Sequence, residues 1–102
     1  MDRVEFIRQI EESNITHADI LSKFFDQYMI LYDLIEKIDQ IIFINSDNNS
    51  VTVQLFCSDE DIIRTTVERI KYSTTVIIYE KCFNISYSNI TKNTVDITIS
   101  LM

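Results

Sequence analysis

The sequence predicts an α+β domain over residues 1–102, in the order ααββαβββ: an antiparallel sheet of about five strands with three helices on one face. Three observations predict it. Three stretches carry a helix-start signature that opens onto apolar residues at helical spacing. The last third of the chain alternates apolar and polar residues, the pattern of half-buried strands. Of the 102 residues 46% are hydrophobic, spread along the whole chain, and a chain this long buries roughly 60–70% of its unfolded surface, enough for one core.

The helix starts are Asp2 with Glu5, Thr16 with Asp19, and Ser58 with Asp61. Each places a capping side chain three residues before a carboxylate. Apolar pairs flank the caps: Met1 and Phe6, Ile15 and Ile20, Cys57 and Ile62. Together these are capping boxes with hydrophobic staples. The first helix runs over about 3–12, with Val4, Phe6, Ile7 and Ile10 as its apolar side, and Ser13 and Asn14 end it. The second runs over about 17–39. Ile20, Leu21, Phe24, Phe25, Tyr28, Leu31, Tyr32, Ile35 and Ile38 share its inner face, and Met29, Ile30 and Leu34 fall at the margins of that face. Asp19, Asp26 and Asp33, seven residues apart, lie on the opposite side.

The pattern then changes. Ile41–Asn45 and Val51–Cys57 are strand-like runs, and Asn48 and Asn49 between them tolerate the positive φ of a tight hairpin. A third helix runs from Asp59 to about Lys71, with Ile62, Ile63, Thr66, Val67 and Ile70 inward. Three strands follow over 74–80, 82–88 and 94–102. The last is the clearest: Val95, Ile97, Ile99 and Leu101 face the helices, while Asp96 and Thr98 face solvent. The other face of the sheet is polar and wet.

The composition excludes several function classes. The chain has neither glycine nor proline. Phosphate-binding glycine loops, dinucleotide fingerprints and the nucleophile elbow all need glycine for positive φ or close backbone approach, so none is present. A net charge of −7 disfavours direct contact with nucleic acid or an anionic membrane, which both need basic side chains. No apolar run approaches the ~20 residues of a membrane span, and the charged start MDRVEFIRQIEES is unlike a signal peptide. The expected compartment is therefore the cytoplasm, with Cys57 and Cys82 reduced and not joined by a disulfide.

Catalytic and metal chemistry find little purchase. His17 is the only histidine and stands at the start of the second helix, where packing or capping accounts for it. Cys57 and Cys82 have none of the close spacings of zinc ligands. The run Ser58–Asp59–Glu60–Asp61 concentrates carboxylates, but acidic residues at a helix N-terminus are explained by the macrodipole. No cofactor is expected, and the chain is read as non-catalytic.

The acidic residues are the strongest functional signal. Up to Gln40 there are nine carboxylates against Arg3, Arg8, Lys23 and Lys37, a net of −5; the remainder holds seven against five, a net of −2. Seven helical residues advance ~10.5 Å, so Asp19, Asp26 and Asp33 would form a stripe ~21 Å long, extended by Glu36. Asp19–Lys23 and Asp33–Lys37 are i,i+4 pairs that partly neutralise it, so a solvated face remains the competing reading. Phe56 should point out from the polar side of the sheet, the other candidate anchor. The expectation is a small acidic binding protein that inhibits or regulates a basic partner, such as a nuclease or defence effector. Phage anti-defence inhibitors, including anti-CRISPR proteins, and toxin-immunity proteins share this profile as classes. The alternative is a self-assembling structural or adaptor domain whose partner is a second copy, joined through a sheet edge or the margin of the second helix.

Overall fold

The structure is a computed structural model and describes residues 2–12, 28, 33, 34, 36–46, 50–70, 73–78 and 80–102. These residues form α1 (Arg3–Glu12), β1 (Gln40–Ser46), β2 (Ser50–Phe56), α2 (Glu60–Ile70), β3 (Ser73–Ile78), β4 (Lys81–Ser88) and β5 (Thr94–Leu101). The class is α+β, with a five-stranded antiparallel sheet and two helices among the described residues. Most of the predicted helix over 17–39 lies outside the described residues. Asp33 and Leu34 are helical, and the turn at Glu36 and Lys37 leads into β1.

The strand order is β1-β2-β5-β4-β3. The last strand of the chain is therefore the middle strand of the sheet. β5 pairs Val53 with Ile97 and Leu55 with Val95 on one side, and Ile85 with Ile99 on the other. These residues form the inner face and are fully or nearly fully buried. Phe6 from α1, Ile63 and Ile70 from α2, and Leu34 and Ile38 ahead of β1 close over them in one core. Each such side chain contributes about 1.5–3 kcal/mol by burial. The alternation read in the last strand thus marks the sheet's best-covered element.

The local chemistry explains the helix starts. Asp2 accepts the Glu5 N–H at 2.8 Å, as expected of an N-cap with a carboxylate three residues on. At α2 the cap stands one residue later than Ser58. Asp59 accepts the Asp61 N–H at 3.0 Å through its side chain, and Glu60 opens the helix. Ser58 instead donates its N–H to Asp39 at 2.6 Å, a contact between residues 19 positions apart.

Several expectations are corrected. Val4, expected on the apolar side of the first helix, is 80% exposed, while Phe6 reaches the core. Leu34 is buried, not marginal. The third strand ends at Ile78, and Glu80 turns with φ of 64°, so a residue read as strand supplies the hairpin's left-handed position in a chain without glycine. Asp96 is only 5% exposed, although it lies on the outer face. Gln54 donates to it at 3.1 Å and Asn89 at 2.8 Å, and these amides cover it. The centre of the outer face is thus polar and half-buried, with Thr52 and Thr98 hydroxyls meeting at 2.9 Å, while its outer strands expose Ile42 and Ile77.

Candidate functional site

Three chain segments converge at one corner of the molecule. The Asp39 N–H donates to the Phe56 carbonyl at 2.8 Å, tying the start of β1 to the end of β2. The Asp39 carboxylate then accepts the Ser58 N–H. The Asn93 side chain donates to the carbonyls of Cys57 and Ser58 at 2.9 and 3.2 Å, and the Cys57 N–H donates to the Asn93 carbonyl at 2.9 Å. This lattice fixes the β2–α2 junction against the β4–β5 loop. Buried Cys57 completes it, its thiol donating to the Lys37 carbonyl at 3.1 Å.

Outside that scaffold the corner is acidic. Glu36, Asp39, Asp59, Glu60 and Asp61 are all exposed. Phe56, at the end of β2 opposite Gln40 and Thr94, is 37% exposed. The expected outward aromatic therefore ends the strand whose last carbonyl the Asp39 N–H holds, on the face of the sheet away from α2 and its Glu60 and Asp61. The Ser58 N–H, with its hydroxyl, holds the Asp39 carboxyl below its usual range, so Asp39 stays ionised through mild acid. Asp61 pairs with Arg64 one turn on, a surface pair worth little in stability.

Asp33 is exposed on the neighbouring turn and lies 3.7 Å from Arg69 of α2. Both line a small recess of about 170 Å³ together with Leu34, Lys37, Ile62 and Thr66. Tyr28 packs on the core there. Burial raises the pKa of its phenol, and the charge of Arg69 opposes the shift. Of the stripe, only Asp33 can be located: Asp19 and Asp26 lie outside the described residues, as does His17. Among the described residues no group of three or more His, Cys, Asp or Glu is arranged to hold a metal ion. Cys57 and Cys82 are free thiols. Among the described residues no helix is long and apolar enough to cross a membrane.

A second concavity, about 430 Å³, opens between α2 and the β4–β5 loop. Ile63, Val67 and Ile90 line it, and its rim carries Glu60, Arg64, Glu68 and Lys92. Its lining holds neither Cys nor His, so it offers an apolar floor with a rim of both signs. In the sequence Asp59–Asp61 have only the signature of a helix cap, and nothing local joins them to Asp39 or Phe56. The missing signal is the Asp39–Ser58 contact, which no local pattern encodes. No family model, curated protein or solved structure matches this chain.

Proposed function

We propose that the chain is a small non-catalytic binding protein whose acidic corner engages a basic protein partner and inhibits or regulates it. One observation carries this reading: exposed Phe56 closes the β2 end to which the Asp39 backbone is tied, and the segments joined there carry five exposed carboxylates. Interfaces draw most of their affinity from a few aromatic and arginine anchors, while surrounding charge steers encounter and selects the partner's sign. Phe56 supplies the anchor. Glu36, Asp39, Asp59, Glu60 and Asp61 supply the field, with Asp33, Asp19 and Asp26 extending it along the second predicted helix. A partner with a basic groove fits, such as a nuclease or another protein that handles nucleic acid.

The hydrogen-bond lattice behind the corner supports the same reading. Charges held on a fixed scaffold need no ordering when the partner arrives, which lowers the cost of association. The test is affinity capture on the immobilised chain from a lysate of the cell that makes it, comparing the parent with Phe56→Ala and with a Glu36→Gln/Glu60→Gln/Asp61→Asn variant. These substitutions spare the capping carboxylates of Asp39 and Asp59. The parent should retain a basic protein that raised salt releases, and both variants should lose it. Equal retention by the parent and both variants would refute the assignment of the corner.

A further inference from the structure

The two edges of the sheet are unlike. β1 carries a bulge: Phe43 pairs with Val53 and Asn45 with Thr52, leaving Ile44 as the extra residue. Bulges twist an edge away from further pairing. β3, the opposite edge, has none. Its register with β4 is unbroken from Ser73–Ser86 to Ile78–Lys81. Its six residues, Ser-Thr-Thr-Val-Ile-Ile, include no charge and no proline, so charge, proline and bulge, three devices that protect an edge strand, are missing from this strand. On the outer face of the same edge Ile77 is 75% exposed and Met102 is 72% exposed. They flank half-buried Cys82: Ile77 pairs with Cys82, and the Met102 N–H donates to the Cys82 carbonyl at 2.9 Å.

We infer that β3 pairs antiparallel with β3 of a second copy of this chain, joining two five-stranded sheets into one of ten strands. Two arguments select a second copy as the occupant. The first is charge. Two chains of net −7 repel wherever their carboxylates approach, and β3 is a neutral edge across the sheet from the acidic β1–β2 corner. The second is register. A two-fold axis through Val76 sets Val76 opposite Val76 of the second copy on the inner face. On the outer face it sets Ile77 opposite Thr75 of the second copy. Each pair joins an apolar or β-branched residue to another, the kind that stabilises a ladder, and the contact is isologous, so it closes at two chains. The two acidic corners then stand at opposite ends of the assembly. This inference does not rest on the partner reading above.

Sedimentation equilibrium of the full chain over a concentration series tests it, with hydrogen exchange on β3. The expected species has twice the 12.0 kDa chain mass, is not dissociated by salt, and protects the β3 amides more as concentration rises. Ile77→Lys should weaken association at least about tenfold while leaving the far-UV circular dichroism unchanged. The added lysine lowers the net negative charge, so that loss cannot come from greater repulsion. Should Ile77→Lys fail to fold, Thr75→Lys on the same exposed row gives the same reading. A chain that stays monomeric throughout, a dimer that both lysine variants leave intact, or a dimer whose β3 amides stay unprotected would each overturn the inference.

Discussion

Asp96 sits on the middle strand of the sheet with its carboxylate covered by the amides of Gln54 and Asn89. Removing the carboxylate takes a charged acceptor from half-buried Gln54 and exposed Asn89, and a hydrogen bond to a charged group is worth about 1.5–3 kcal/mol. Asp96→Ala should lower stability by that amount in urea unfolding, and Asp96→Asn by less, because the amide oxygen still accepts one of the two bonds. The alternation of β5 correctly put Asp96 opposite the core. It could not tell that the face is half-buried there, because the covering groups come from β2 and from a loop residue seven positions away. Asp39 makes the same point for electrostatics. Its carboxyl is held below the ordinary range, chiefly by the Ser58 N–H. A depressed folded value adds stability that is complete above the ordinary carboxylate pKa of about 4 and is lost as pH falls through the folded value. Asp39→Asn should therefore flatten the acid limb of the stability curve below about pH 4, which thermal melts across pH would record.

Helices and strands were legible wherever local chemistry decides them. Asp2 caps α1, and Asp2→Ala should cost about 0.5–2 kcal/mol, read as earlier fraying of α1 in hydrogen exchange. The inner stripe of α2 was also legible: Ile63, Thr66 and Ile70 are buried, with Ile62 and Val67 at the border. The α2 boundary was off by one residue: both Ser58 and Asp59 are capping types, and Asp59 is the one that accepts the Asp61 N–H, while Ser58 turns its N–H to the distant Asp39. Turns failed for want of the usual punctuation. Without glycine, the β3–β4 hairpin places Glu80 at φ 64°, a conformation that costs a residue with a Cβ about 1–2 kcal/mol. Glu80→Gly relieves that cost at the expense of unfolded-state entropy. A net gain of about 0.5–1 kcal/mol is expected, seen as a higher urea midpoint at unchanged slope. A loss would mean that the Glu80 side chain supports the turn.

At the scale of the molecule, the α+β class was legible because helical spacing and alternation occupy separate stretches of the chain. Strand order was not. That β5 enters between β2 and β4 depends on long-range pairing, and five short apolar strands admit many such orders. The acidic corner was half legible for the same reason: Glu36 and Phe56 stood out one at a time, and only the strand pairing brings their segments together. On the function we propose, this corner, with Phe56 exposed at the end of β2 and carboxylates on the segments tied there, meets a basic partner. Fixed charge acts mainly on encounter, so it appears in the association rate, and buried aromatic contact appears in dissociation. The most direct measurement is the salt dependence of the association rate with the purified basic partner, for the parent and for Glu36→Gln/Glu60→Gln/Asp61→Asn. Association should be at least about tenfold slower for the variant at low salt, with rates that converge as salt rises and a dissociation rate changed little. Equal association rates at low salt would refute the proposed interface and leave the corner as a solvated surface.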